Sequence, residues 1–93
     1  MPKAWWNGVL IADSDETMFV DGRHYFPPDS VKREYLQKSQ TRTTSPRLGE
    51  ATYYHLTVDG ELNADAAWSY HAPKTAASQI KDFIAFWHGV EVE

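Results

Sequence analysis

The chain has 93 residues, a formal net charge of −4 and no cysteine, which leaves room for one domain and one core. That core has no disulfide or thiolate zinc site to staple it. No apolar run nears the ~20 residues of a membrane span, and the acidic balance argues against the basic footprint of non-specific nucleic-acid binding. Aromatic residues make up 14% of the chain and are the substitute for a staple, each able to bury on the order of 150–250 Å². The opening Met1-Pro2-Lys3-Ala4-Trp5-Trp6 has no signal-peptide hydrophobic region, so a cytoplasmic single domain over residues 1–93 is the default expectation.

Four dipeptides punctuate the chain: Asn7-Gly8, Asp21-Gly22, Asp59-Gly60 and His88-Gly89. Asn-Gly and Asp-Gly favour two-residue hairpin turns, which need φ > 0 at both central positions; His-Gly is a weaker signal of the same kind. The first turn joins Lys3–Trp6 to Val9–Ala12, and the second joins Thr17–Val20 to Arg23–Phe26. Pro27-Pro28-Asp29-Ser30 then reads as a stop and a helix N-cap, with Val31 and Tyr35 on one helical face. Ser39–Thr44 is threonine-rich and suits a strand, while Pro46-Arg47-Leu48-Gly49 reads as a loop. The third turn follows Ala51–Val58, with a strand ending near Tyr70 beyond it; Leu62-Asn63-Ala64-Asp65 leaves the loop length open, and with it which of Tyr53 and Tyr54 points inward. Thr75–Lys81 is a short helix that must pack on the sheet, and Phe83–Trp87 is expected to meet Val90–Val92 across the fourth turn. The pattern predicts a mainly β, antiparallel fold of hairpins with one or two short helices, a metal-free sandwich or half-open barrel.

Several pieces together resemble the domain of unknown function 427, a family that also carries a nucleotidyltransferase-like label. They are Trp6-Asn7-Gly8, His24-Tyr25-Phe26-Pro27, the block Thr41, Thr43, Ser45-Pro46, Gly49, Ala51, Tyr53-Tyr54, then Ala67-Trp68, Tyr70, Pro73, Ala85-Phe86 and Val90-Glu91-Val92. The resemblance spans essentially the whole chain. It implies a compact β-tent architecture of the Mss4-like kind, whose relatives often carry zinc in paired Cys-x-x-Cys knuckles; this chain lacks the cysteines for that. Where the family pattern runs Cys-Pro, aromatic, Lys, Gly, this chain has Ser45-Pro46-Arg47-Leu48-Gly49, so any chemistry needing the thiol is lost here.

Chemistry-bearing residues concentrate in four places. Arg42 and Arg47 lie among Thr41, Thr43, Thr44 and Ser45, a set suited to gripping a carboxylate or phosphate; the same set suits a solvated edge strand. Alternation puts Arg42 with Thr44 on one face and Thr41, Thr43 and Ser45 on the other, and only one face can line a pocket. Among the aromatics, most of which serve the core, the resemblance places Tyr53, Trp68 and Tyr70 beside that polar block. His24, beside Tyr25, is the best histidine for an acid/base or ligand-orienting role, although a hydrogen-bonded structural role is the favoured reading; the four histidines show no metal-ligand spacing. Asp13 and Asp15 form an Asp-x-Asp pair that could hold Mg²⁺ in nucleotidyl transfer, but they sit in a turn and no glycine-rich phosphate loop accompanies them.

The expected ligand-binding set is His24, Tyr25, Arg42, Thr43, Ser45, Arg47, Tyr53, Trp68 and Tyr70, lining an aromatic and arginine cleft for a small anionic molecule. No metal or cofactor is expected, and neither nucleic acid nor membrane as partner. An interaction or homo-oligomerising domain is the first alternative, a metal-assisted nucleotidyltransferase-like enzyme the second. The residues name no reaction.

Overall fold

A computed structural model describes residues 1–93. Nine strands follow in order: β1 (Lys3–Trp6), β2 (Val9–Asp13), β3 (Met18–Val20), β4 (Arg23–Tyr25), β5 (Leu36–Ser45), β6 (Gly49–Val58), β7 (Glu61–Ser69), β8 (Ile84–Phe86) and β9 (Glu91–Val92). They form an antiparallel four-stranded sheet β5-β6-β7-β8, a three-stranded sheet β2-β1-β9 and the hairpin β3-β4. The expected mainly β, hairpin-built fold is present, and the sheets do not close into a barrel.

All four Xaa-Gly pairs adopt positive φ at both residues, from 50° at Asp21 and Asp59 to 85° at Gly89. The first three close hairpins, because a turn of this hand matches strand twist. The third is a two-residue turn: Leu62 and Asn63 lie within β7, opposite Thr57 and Leu56. The turn-like Asp65 is instead a bulge residue with φ 53°, where Ala64–Ala66 stand opposite His55 alone. The fourth pair turns the chain without making a hairpin. β8 pairs with β7, and β9 crosses to β1, so Phe83–Trp87 and Val90–Val92 belong to different sheets.

The helical expectations are met only by 3₁₀ turns. Pro28–Ser30 and Arg33–Tyr35 each last one turn. Ser30 Oγ donates back to Pro27 O at 2.7 Å instead of capping a helix. Between the turns Val31 is extended, buried and bridged to Ala12. A β-branched residue gains more by joining the sheet core there than by turning. The segment Thr75–Ile80 is also 3₁₀, kinked at Ala77, and it docks Ala77 and Ile80 on the sheet.

The four-stranded sheet is covered on both faces along β6, the end of β7 and β8, which separates two cores, while β5 is largely exposed. On one face the sheet β2-β1-β9 packs Ala4, Ile11 and Ala12 against Leu56, Val58, Ile84 and Phe86. Phe26 fills the centre, edge to face with Phe86 at 5.7 Å. Each such fully buried large side chain contributes about 1.5–3 kcal/mol. On the other face β4 and the Thr75–Ile80 turn cover Ala51, Tyr53, Trp68 and Ala85. Paired hydrogen bonds between Phe26 and Ile84, both 2.8 Å, fasten the β3-β4 hairpin to the sheet. The alternation that leaves Ala85 on one side and its neighbours Ile84 and Phe86 on the other also assigns Tyr53 to the second core and Tyr54 to the first.

Candidate functional site

The second core is incompletely covered. It opens into a cleft of about 280 Å³ lined by Asp21, Arg23, Tyr25, Ser45, Leu48, Tyr53, Trp68, Tyr70 and Trp87. Its floor is a continuous set of rings. Trp68 lies 6.2 Å from Tyr53, 6.3 Å from Tyr25 and 5.3 Å from Trp87, the last two edge to face. Tyr70 lies 6.3 Å from Tyr25.

Several of the polar tips are tied down. Trp68 Nε1 donates to Tyr25 Oη at 3.3 Å, and Tyr53 Oη pairs with Thr43 Oγ1 at 3.1 Å. Trp87 Nε1 donates to Asp65 O at 2.6 Å, so the β7 bulge holds one wall. Rings fixed this way lose little entropy on binding. Burial pushes the Tyr70 phenol up to about 12, with Tyr25, Tyr53 and Asp21 adding to the effect; at neutral pH it is an uncharged hydroxyl.

The cationic group is Arg23. Its guanidinium lies 5.6 Å over the Trp68 ring, and Nη1 donates to Phe86 O at 3.0 Å. Stacked on a ring and anchored at one nitrogen, it keeps further N–H donors free. Arg47 forms an exposed ion pair with Asp21, one of the lining residues. Ser45 Oγ accepts from Leu48 N at 3.1 Å, which shapes the turn that buries Leu48 beneath the cleft. Gly49 follows with φ 113°, and a Cβ there would meet Lys74 N at 3.3 Å. The backbone approach is real, since Lys74 N donates to Leu48 O at 2.9 Å.

Of the nine expected residues, the structure brings Tyr25, Ser45, Tyr53, Trp68 and Tyr70 together around the cleft. Thr43 stands behind Tyr53, and Arg47 reaches the rim through Asp21. Two lie elsewhere. His24 occupies the other face of β4, its Nδ1 2.9 Å from Thr17 Oγ1 and its ring against Phe19. Arg42 stands opposite Thr52, on the face away from Tyr53, and donates to the Ser39 and Thr41 carbonyls. The physical reason is the same in both cases: neighbours in a strand point to opposite faces, so Tyr25 excludes His24 and Thr43 excludes Arg42. That rule, applied from Tyr25, would have named Arg23. Asp21 had only its place in a turn as a signal, Trp87 its membership of the aromatic set, and Leu48 its place in the Ser45–Gly49 block.

Two other hollows are less suited to a ligand. One of 460 Å³ lies over Trp5, Trp6, Asn7 and Gly8 and is flanked by the carboxylates of Glu91 and Glu93; its acidity opposes an anion. The other, 260 Å³, lies between Phe19, Gly22, Arg23, His24, Phe86 and Val92, so Arg23 borders both it and the cleft. Asp13 and Asp15 are exposed at the end of β2 and in the bend after it, and no three His, Asp or Glu side chains converge to hold a metal ion. No helix is long and apolar enough to cross a membrane.

The family model for the domain of unknown function DUF427, labelled NTP_transf_9, matches residues 3–93. The chain belongs to this family. No curated protein matches it. Within this DUF427 domain, Tyr25, Ser45, Tyr53, Trp68 and Tyr70, distant from one another along the chain, meet at the cleft.

Proposed function

We propose that this DUF427 domain binds a small molecule with a flat apolar body and one acidic group. The observation that carries the reading is Arg23, a guanidinium held against Trp68 at the edge of a cleft walled by five aromatic rings. Apolar walls with a few placed polar groups are the ordinary composition of ligand sites. A volume of about 280 Å³ lies just below the usual range of about 300–1,000 Å³, which favours a one- or two-ring acid over a nucleoside triphosphate. Charge points the same way: Arg47 is already paired with Asp21, so a single free cation serves the cleft, too little for a polyphosphate.

A thermal-shift screen with benzoate, indole-3-acetate, nucleoside monophosphates and sugar phosphates tests the reading. Aromatic carboxylates or monophosphates raise Tm in the wild-type domain. Arg23→Gln abolishes the rise while Arg42→Ala, on the opposite face, retains it. Equal shifts from neutral or cationic ring compounds, or a response that survives Arg23→Gln, would refute it.

A further inference from the structure

A second constellation lies on the reverse face of the same sheet. Tyr54 Oη is 2.8 Å from His71 Nε2, and His71 Nδ1 is 2.7 Å from Asp82 Oδ1. The order matters. The carboxylate accepts from Nδ1–H, which leaves the Nε2 lone pair facing the phenol. A hydroxyl, a base and a carboxylate orienting that base are the elements of an activated nucleophile. The three come from separate segments: β6, the bend after β7, and the turn before β8. Asp82 is held in a left-handed conformation, φ 65°, where its N–H donates to Tyr70 O at 3.0 Å. The phenol and imidazole rings stand at 89°, which directs Oη at the ring nitrogen instead of stacking the rings.

The surroundings are cationic. Lys38 is the cross-strand partner of Tyr54, and Arg42, opposite Thr52, stands one step along the same face. The 3₁₀ turn Arg33–Tyr35 packs on β6 beside them. Burial raises the Tyr54 phenol above its ordinary value, while Arg33 and then Arg42 oppose that rise against Asp82. The resting hydroxyl is therefore neutral and needs its base to react.

We propose that Tyr54 is a base-assisted nucleophile that takes a phosphoryl group from an anionic phosphate ester or anhydride. In that step a bond forms from Tyr54 Oη to phosphorus and the bond from phosphorus to the leaving oxygen breaks. The phenolic proton passes to His71 Nε2, and Asp82 stabilises the imidazolium. Lys38, Arg33 and Arg42 supply the charge that draws the donor in and balances its oxygens. This site is independent of the cleft, and either can fail without the other.

The test uses 4-(fluorosulfonyl)benzoate, an anionic tetrahedral electrophile from which Tyr54 Oη displaces fluoride. Intact-mass and peptide analysis are expected to find one adduct, on Tyr54. His71→Gln lowers its rate about tenfold or more, and Asp82→Asn lowers it in the same direction, with circular dichroism and Tm unchanged. The cationic 4-(2-aminoethyl)benzenesulfonyl fluoride labels Tyr54 more slowly, and Arg33→Gln combined with Arg42→Gln erases that preference. No adduct on Tyr54, labelling spread over Tyr35 and the lysines, or a rate unaffected in folded His71→Gln would overturn the proposal.

Discussion

Replacing Asp65 is expected to destabilise the domain more than its place on the surface implies. Its side chain is 28% exposed, yet it joins two bulged strands. Ser39 Oγ donates to Oδ1 at 2.5 Å and Thr41 Oγ1 to Oδ2 at 2.8 Å. Its N–H donates to His55 Nδ1 at 2.9 Å, and its carbonyl accepts from the cleft residue Trp87. Hydrogen bonds to a charged group contribute about 1.5–3 kcal/mol when shielded. Discounted for solvent to about 1 kcal/mol each, the two lost in Asp65→Ala cost about 2 kcal/mol. Alanine in a left-handed conformation adds about 1 kcal/mol. A loss of about 3 kcal/mol lowers Tm by about 12–24 °C for a domain of this size. Asp65→Gly accepts the conformation and should lose about 2 kcal/mol; Asp65→Asn, which keeps one acceptor oxygen and tolerates positive φ, about 1 kcal/mol.

Acid adds an independent check on the same residue. The Ser39 hydrogen bond above all, with Thr41 and then His55 and His88, holds the Asp65 carboxyl below the usual carboxylate range against the opposing effect of burial. Its stabilisation is therefore complete above the unfolded value of about 3.9 and is lost as pH falls through the lower folded value. The gap between wild type and Asp65→Asn should close over that acid window. Thermal melts of the four proteins from neutral pH downward provide the measurement. Asp65→Ala melting within about 3 °C of wild type, or a gap independent of pH, would refute the reasoning.

Ser69 Oγ is fully buried without a hydrogen-bond partner, so Ser69→Ala should leave stability unchanged or raise it by about 1 kcal/mol; a clear loss by urea unfolding would reveal a missing partner. Gly49→Ala should cost about 1–3 kcal/mol through its backbone conformation and the Lys74 approach, seen as a lower urea midpoint. Tyr70, raised to about 12, contributes stability that is complete below the unfolded value of about 10 and lost as pH rises from there toward 12. Tyrosinate absorbance should lose its most alkaline step in Tyr70→Phe.

The turns were legible because Asn-Gly, Asp-Gly and His-Gly act locally, through the positive φ that each pair adopts. Their partners were not: His88-Gly89 has the dihedrals of a hairpin, but β8 finds β7 and β9 finds β1, pairings set by long-range packing. The loop between Asp59 and Asp65 was ambiguous because Asp65 carries a turn-like residue into a bulge, and a bulge has no sequence spacing of its own. Val31 shows a tertiary contact overriding a helix start, since its bridge to Ala12 supplies the core. The cleft was legible by half. Aromatic content and the Ser45–Tyr53 block located it, and choosing Tyr25 with Thr43 implied, by alternation alone, Arg23 in place of His24 and the exclusion of Arg42. Asp21, Leu48 and Trp87 needed the fold, because nothing in the chain's spacing brings β3-β4 over Trp68.

The cleft can be watched through its own indoles. Trp68 and Trp87 line it, whereas Trp5 and Trp6 lie in the separate hollow by the chain ends. In an ¹⁵N-labelled sample each of the four tryptophans gives one indole N–H signal, assignable by single Trp→Phe replacements. Titration with indole-3-acetate and with adenosine 5′-monophosphate should move the Trp68 and Trp87 signals, leave Trp5 and Trp6 in place, and lose the effect in Arg23→Gln. Shifts confined to Trp5 and Trp6, or none at millimolar concentrations of either acid, would contradict a ligand site at Arg23.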